Sequence, residues 1–236
     1  MIEDVWGSVL SAAMKLPGAK VDRREFLKRE LASVCDQKQL ESILNGDLKV
    51  KDVLKKTQVE NMTDGCISYH VSKASLISAV AGIPGGFAML ATVPVDMAQF
   101  YSHVLVLIQK LLYLHGWPEL EAGGRNLDDG TKYILTMFMG VAFGSTQAAV
   151  IARKLAEHLA KEAAARIPQK MFAQYAMRSV AEQTAKWIGV QIAKSGTSKS
   201  VSKFIPLIGA PISAAFTYYM FKPMAKRLKD HLQSQW

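Results

Sequence analysis

The stretch ASLISAVAGIPGGFAMLATVPVDMAQFYSHVLVLIQKLLY, residues 74–113, constrains how the rest of the chain must be arranged. Only Asp96 and Lys110 carry a full charge within it. An apolar segment of this length is stable when it is buried, either under other helices of the same protein or in a lipid bilayer. The choice between these two environments bears on both the fold and the cellular position of the protein.

Proline and glycine interrupt the first half of this stretch. The 22 residues between Lys73 and Asp96 carry no charge, which is long enough for a membrane-spanning helix. However, Ile83-Pro84-Gly85-Gly86 lies near the middle of the run and Pro94 lies near its end. Proline removes a backbone donor and disfavours helix at the residue before it. We therefore predict a helix, a tight turn and a second helix, with Gly85 and Gly86 at the close approach between them.

A second uncharged run covers residues 133–152, and residues 153–166 continue it as a basic amphipathic segment. The run contains Gly140 and Gly144 in a GxxxG spacing. Two glycines four residues apart on a helix allow another helix backbone to approach closely. We therefore predict that Gly140 and Gly144 are helix-packing positions.

A third uncharged run, residues 204–221, is again opened by breakers, here Pro206, Gly209 and Pro211. Lysines lie on both sides of it. A true span would place basic residues on both faces of a membrane, against the positive-inside preference. We predict a re-entrant or buried hairpin, with Gly209 at its packing contact.

Helical periodicity occurs throughout, and strand-like alternation is missing, so the predicted class is all-α. Residues 1–72 are predicted to form a small N-terminal helical cap, in which Asp36 caps a short helix that stops at Asn45-Gly46. Residues 73–236 form the main domain. The predicted architecture is a multi-helix bundle with two apolar, Pro/Gly-broken helical hairpins.

Positive charge is concentrated at the C-terminal end. Residues 1–72 are neutral and residues 73–131 carry −2, whereas residues 132–236 contain 15 Lys and Arg against 4 Asp and Glu, a net charge of +11. Such an excess attracts phospholipid headgroups or nucleic acid, although a solvated face that aids solubility has the same pattern. The predicted headgroup contacts are Lys199, Lys203, Lys222, Lys226, Arg227 and Lys229.

Asp96 is the acid within the apolar stretch, and such a group is costly unless it is paired or functional. Gln99 follows three residues later, so a capping box at the start of a helix over residues 97–115 is the favoured interpretation. A catalytic pocket with Tyr101 and His103 is the alternative. His103 lies two helical turns from Asp96, about 10 Å along the axis, too far for the two to chelate one metal unaided.

Motifs for common cofactor and metal chemistry are missing. The chain has no HExxH, GxSxG, GxGxxG or GxxxxGK[ST] motif, and Cys35 and Cys66 have no metal-ligand spacing. We therefore predict no cofactor, no metal and no nucleotide, and a reducing compartment. The N-terminus lacks the order of a secretory signal because acids stand where basic residues are required, which favours a cytoplasmic protein.

Two segments of the chain carry Pro/Gly motifs in an apolar context. The first runs from Ile83-Pro84-Gly85-Gly86 through Pro94-Val95-Asp96 and Ile108-Gln109-Lys110 to Leu114-His115-Gly116-Trp117, and the second runs from Lys203 through Ala210. Together they resemble the EcsC family of bacterial proteins and, more distantly, the helical domain of unknown function appended to some bacterial GTPases. The resemblance covers residues 73–221. It implies an all-helical cytoplasmic or membrane-associated protein in a family whose biochemical activity is not settled, so no catalytic residue is carried over.

The function predicted from these observations is association with an anionic membrane surface, as an accessory to a membrane process. The protein is expected at the inner face of the membrane, peripheral or inserted through its hairpins, with a membrane protein or a second copy as a further partner. A soluble helical enzyme, such as a hydrolase, with a pocket near Asp96 and His103 is the alternative. Nucleic-acid binding through the same basic surface is a second alternative, which leaves the apolar hairpins unexplained.

Overall fold

The computed structural model describes residues 2–81, 95–120, 127–161, 177–197 and 209–236. Within these residues the chain forms ten α-helices and no β-strand, which confirms the predicted all-α class. The helices are α1 (Ile2–Met14), α2 (Arg23–Leu31), α3 (Gln37–Asn45), α4 (Val50–Val53), α5 (Lys56–Ala81), α6 (Val95–Leu114), α7 (Asp129–Phe143), α8 (Thr146–Lys161), α9 (Met177–Thr197) and α10 (Gly209–Gln233).

One apolar core joins the N-terminal helices to the C-terminal ones. Trp6 of α1 is buried in the same core as Phe138 of α7 and Leu228 of α10. The indole Nε1 of Trp6 donates a hydrogen bond of 2.9 Å to the hydroxyl of Thr136, also on α7. Helix α5 runs unbroken through residue 72, after which the domain boundary was predicted. The first helices therefore pack into the body of the protein.

Helices α5 and α6 run antiparallel. Tyr69 of α5 lies beside Lys110, late in α6, whereas His70 lies beside His103, nearer the start of α6. Lys110 is also among the charged residues near Cys66, which lies one turn earlier in α5. The helix predicted before the Pro/Gly break is present as the end of α5, whereas the helix predicted after the break, between Gly86 and Pro94, falls outside the described part of the chain. Residues 82–94, with Gly85 and Gly86, lie outside the described part of the chain.

The second half of the apolar stretch is covered by protein. On α6, Leu105, Leu107, Leu111 and Leu112 are fully buried, because α1, α5, α7 and α10 all pack against this helix. Of the helices in the described ranges, none combines the length and apolarity needed to cross a bilayer.

Local capping chemistry sets the ends of α3 as predicted. The carboxylate of Asp36 accepts a hydrogen bond of 2.8 Å from the amide of Gln39, and the Gln39 side chain accepts one of 3.1 Å from the amide of Asp36. At the other end Gly46 has φ 89°, a left-handed conformation that closes the helix.

A helix ends at Gly144, although the sequence analysis placed no helix break between residues 133 and 152. Gly144 has φ 92°, and its amide donates to the carbonyl of Val141 at 2.9 Å. The next amide, of Ser145, donates to the carbonyl of Gly140 at 2.8 Å, while the Ser145 hydroxyl accepts from the amide of Ala148 at 3.3 Å. Gly144 therefore closes α7, and Ser145 caps the start of α8.

Gly140 does lie at a close approach between helices, as its spacing predicted. A methyl group at its Cβ position would be 2.5 Å from Cγ2 of Thr184 on α9 and 2.8 Å from Cβ of Ala148 on α8. Both distances are shorter than any ordinary contact, so α7, α8 and α9 meet where residue 140 has no side chain.

We expect Gly140→Ala to lower the free energy of unfolding by up to about 2 kcal/mol, measured by urea denaturation. Forcing a methyl group into a packed site costs about 1 to 3 kcal/mol, and the higher helix propensity of alanine returns about 1 kcal/mol. The matched control is Gly65→Ala on α5, where no atom lies within 4 Å of the added methyl group and the position is exposed. That variant should be more stable than wild type, and equal gains in both variants would contradict the prediction.

Helix α10 replaces most of the predicted second hairpin. Its first half is residues 209–221, and residues 204–208 lie outside the described part of the chain. Pro211 does not break the helix because it lies in the first turn, where the backbone N–H has no helical acceptor. Pro223 lies inside the helix and leaves the carbonyl of Tyr219 without its usual donor. Helix α10 packs mainly along α5.

Candidate functional site

Tyr101 and His103, two of the three residues of the predicted catalytic pocket, face different helices. Helix α6 begins at Val95, so Asp96 lies within its first turn instead of preceding the helix, and the Asp96 side chain lies outside the described part of the structure. Tyr101 is buried with its ring 6.0 Å from that of Trp6, and burial raises the pKa of its hydroxyl. His103 faces α5 instead of α1.

His103 belongs to a histidine pair that the sequence analysis missed. The rings of His70 on α5 and His103 on α6 have centroids 5.9 Å apart. His70 is 4% exposed, and neither ring nitrogen has a hydrogen-bond partner among the described residues. Burial, reinforced by Lys110, lowers the pKa of His70 to about 3, and burial also lowers the pKa of His103. Both rings are therefore neutral at pH 7.

This pair does not extend into a metal site within the described ranges. No group of three or more His, Cys, Asp or Glu side chains there is arranged to hold a metal ion. A zinc site needs at least three such protein ligands. His70 is instead part of the wall of a larger groove.

The groove lies between the loop after α1 and helices α2, α5 and α6, and it encloses about 600 Å³. We call it the basic groove because five cations and only two carboxylates line it. The cations are Lys20, Lys28, Arg29, Lys73 and Lys110, and the carboxylates are Asp22 and Glu25. Asp22 is already engaged, since it accepts a hydrogen bond from the amide of Glu25 at the start of α2.

Two aromatic rings organise the cations of the basic groove. The ammonium group of Lys110 is 5.5 Å from the ring centre of Phe26 and 5.5 Å from that of Tyr69. The ammonium group of Lys73 is 5.4 Å from the Tyr69 ring and donates to its hydroxyl at 3.2 Å, which lowers the pKa of Tyr69. The guanidinium carbon of Arg29 is 5.9 Å from the Phe26 ring. Each contact is a cation–π interaction.

The sequence analysis did not predict this groove, and Lys110 is the signal that could have indicated it. It is one of the two charges in the apolar stretch, and a charge there requires a compensating environment. In the structure Lys110 is half-buried, and burial lowers its pKa. The aromatic rings come from α2 and α5, so only the packing of three helices assembles the site.

The predicted lipid-contact residues of α10 differ in what they bind. Lys226 forms an ion pair with Asp230, and Lys229 forms one with Asp64 of α5. The guanidinium of Arg227 donates a hydrogen bond of 3.1 Å to the carbonyl of Ala142 at the C-terminus of α7. Lys222 is exposed and donates to the hydroxyl of Tyr218 at 2.7 Å. Lys199 and Lys203 lie outside the described part of the chain.

A second groove, of about 520 Å³, lies on the surface where α5 and α10 pack together. We call it the tyrosine–lysine groove. Its apolar surface comes from Ile67, Tyr218, Tyr219 and Pro223. Its charged lining consists of three lysines and two carboxylates, namely Lys222, Lys226, Lys229, Asp64 and Asp230. Tyr219 is 75% exposed, the most exposed large apolar side chain in the described part of the chain. An apolar groove bordered by lysines is complementary to an amphiphile with an anionic head.

Comparisons with known proteins identify no relative of this chain. No protein-family model, no curated protein and no solved structure matches the chain. The EcsC resemblance stays a prediction from the sequence motifs. The class that the fold defines is an all-α bundle, and its function is inferred from the two grooves.

Proposed function

We propose that this protein associates peripherally with anionic membranes and binds lipid through the tyrosine–lysine groove. The observation that carries the proposal is the exposed Tyr219 beside Lys222, above an apolar groove between α5 and α10. Tyrosine has an apolar ring and a polar tip, and such side chains are enriched where a protein meets the membrane–water interface. Lysine at the same site attracts anionic headgroups.

The ion pairs on α10 reduce the charge available for this binding. Lys226 and Lys229 already have carboxylate partners, so a headgroup must compete with Asp230 and Asp64. Within the described part of the chain, Lys222 donates to the hydroxyl of Tyr218 and has no carboxylate partner. We therefore assign the main headgroup contact at this groove to Lys222. The wider net charge of +11 over residues 132–236 draws the protein to the surface.

This mode of binding places α10 along the membrane surface instead of across the bilayer. Amphipathic helices with basic polar faces and aromatic apolar faces bind in this orientation, and the strength of binding depends on buried apolar area and anionic lipid. The cytoplasmic location, the accessory role in a membrane process and the EcsC relationship belong to the same proposal. Among the described side chains nothing supports the catalytic alternative, since Tyr101 and His103 face different helices.

Vesicle flotation tests the proposal. We expect wild-type protein to float with vesicles that contain phosphatidylglycerol at low salt, and to be released by high salt because salt screens the attraction. Tyr219→Ser/Lys222→Gln should bind about tenfold more weakly, since it removes both the interfacial ring and the unpaired charge. The matched control is Val150→Ser/Lys154→Gln, which changes an exposed apolar residue and an exposed lysine on α8.

Two results would overturn the proposal. The first is no flotation of the wild-type protein with either anionic or neutral vesicles. The second is an equal loss of binding in the α8 control and the α10 variant, which would show that any exposed lysine contributes the same. A shift of DNA or RNA mobility at low salt, lost in the α10 variant, would favour the nucleic-acid alternative instead.

A further inference from the structure

We propose that the basic groove is a separate ligand site that binds the phosphate group of a small organophosphate, carried on a soluble molecule or on a lipid headgroup. The site lies between α2, α5 and α6, whereas the tyrosine–lysine groove lies between α5 and α10. The inference therefore does not depend on peripheral membrane binding.

The first argument is the charge that lines the basic groove. Neither Lys73 nor Lys110 forms an ion pair with a carboxylate within the described part of the chain. This contrasts with Lys226 and Lys229 of α10, each of which has an aspartate partner. The lysines of α5 and α6 therefore keep their charge available for an added anion.

The second argument is the partial burial of Lys110. Burial disfavours the charged form of a lysine, and the two aromatic rings compensate for that cost less than a full anion would. Glu30 favours the charged state of Lys110, but Glu30 is paired with Arg29, which opposes that state. An oxyanion beside Lys110 would provide the missing negative charge.

The third argument is the position of a second ammonium group near the first. Those of Lys73 and Lys110 both lie within 5.5 Å of the centre of the Tyr69 ring. A phosphate has several oxygens that accept hydrogen bonds from more than one cation at once, and lysine is a common phosphate ligand. A single carboxylate would match fewer of the donors.

The size and lining of the basic groove indicate an organic part to the ligand. A volume of about 600 Å³ lies within the range typical of small-molecule sites. Tyr69 is largely exposed and Phe26 forms part of the wall, so both rings offer apolar surface beside the cations. Inorganic phosphate would fill only part of this space.

His70 provides an internal reporter of occupancy. Its ring is 5.1 Å from that of Tyr69 and 5.9 Å from that of His103, in the wall of the groove. Its charged neighbours are Lys73 on its own helix and Lys110 on α6. An anion bound by these lysines changes the electric field at the imidazole, so the ring resonances of His70 should shift with occupancy.

The test is an NMR titration of the full chain with inorganic phosphate and with glycerol 1-phosphate. We expect saturable shifts of the His70 and Tyr69 ring resonances, with glycerol 1-phosphate binding more tightly than phosphate. Lys73→Gln/Lys110→Gln should weaken binding at least about tenfold, because it removes two charged contacts. The control Lys38→Gln/Lys51→Gln, which changes two exposed lysines of α3 and α4, should bind as wild type does.

A second pair of variants keeps the test decisive if loss of the half-buried Lys110 impairs folding. Lys73 is exposed, so Lys73→Gln alone should fold normally and still weaken binding several-fold. Lys110→Arg keeps the charge and should retain binding. The proposal is overturned if neither phosphate compound gives saturable shifts, or if the Lys38/Lys51 control weakens binding as much as the groove variant.

Vesicles containing phosphatidic acid distinguish the two sources of phosphate. Loss of vesicle binding in the groove variant, together with loss of glycerol 1-phosphate binding, assigns the site to a lipid headgroup. Unchanged vesicle binding with loss of glycerol 1-phosphate binding assigns it to a soluble organophosphate. Tyr219→Ser/Lys222→Gln should leave glycerol 1-phosphate binding unchanged, so the two proposals fail or stand separately.

Discussion

Replacing Gln109 with leucine should lower the free energy of unfolding by about 3 kcal/mol. Gln109 is 1% exposed on α6. Its side-chain oxygen accepts a hydrogen bond of 3.1 Å from the amide of Val21, and its nitrogen donates to the carbonyls of Ala19 at 2.8 Å and Leu105 at 3.0 Å. Leucine fills a similar volume but removes the hydrogen-bond partner of the Val21 amide and of the Ala19 carbonyl. Each unsatisfied buried group costs about 1 to 3 kcal/mol.

Urea denaturation measures this loss, and amide hydrogen exchange locates it. In the Gln109→Leu variant the amide of Val21 should exchange much faster than in wild type, because its acceptor is gone. Gln147→Leu is the matched control, since Gln147 on α8 is exposed and bonds only to the exposed Gln183. The control should change stability by less than about 0.5 kcal/mol. A loss below about 1 kcal/mol for Gln109→Leu would show that the loop after α1 does not depend on this side chain.

Acidification should destabilise the protein by several kcal/mol between about pH 7 and about pH 5, well before its carboxylates become protonated. Burial lowers the pKa of His70 to about 3, and burial also lowers the pKa values of His115 and His231 to about 4. Each folded-state value lies below the value of about 6.5 for the unfolded chain. The unfolded state therefore takes up protons first as the pH falls.

The sign and size of the effect follow from this difference in proton binding. Stability is fully present above about pH 6.5 and is lost as the pH falls toward the folded-state values. Each affected histidine contributes about 1.4 kcal/mol per pH unit within that window. Burial, together with the nearby Lys110, His103 and Lys73, opposes protonation of His70, so the folded state accepts that proton only at a lower pH than the unfolded state does. The half-buried His231 contributes less than the others because solvent screens it.

Urea denaturation at a series of pH values, at constant ionic strength, measures the slope. His115→Gln should reduce the slope of the unfolding free energy against pH by the contribution of about one proton, because it removes one titrating group. The glutamine amide can replace the hydrogen bond that Nδ1 of His115 makes to the carbonyl of Leu111. His115 lies outside both proposed binding grooves. Stability that does not change over this pH range would contradict the buried neutral state of these histidines.

Helix ends show which structural features are local enough to be predicted. Asp36 and Gln39 lie three residues apart, and Gly46 closes the same helix, so the chemistry of α3 is contained in a short segment. Gly144 is just as local, but its GxxxG spacing with Gly140 concealed the turn. The serine that directly follows it, Ser145, is an N-cap residue and could have revealed the break.

The candidate sites could be predicted only in part, because their members lie far apart in the chain. The sequence located the basic excess of α10, but it could not show that Lys229 is paired with Asp64, 165 residues away. It likewise marked Lys110 as a charge within an apolar stretch. Nothing local indicated that Phe26 of α2 and Tyr69 of α5 would lie on either side of it.

By itself, the sequence determined the all-α class, the capped ends of α3 and the need to bury the segment that became α6. These properties depend on periodicity and on hydrogen bonds between residues within about four positions of one another. Only the tertiary structure decided which cations are used in ion pairs, which lie beside aromatic rings, and where the two grooves form. Those outcomes depend on the register in which helices pack, and that register is set by side-chain contacts across the whole core.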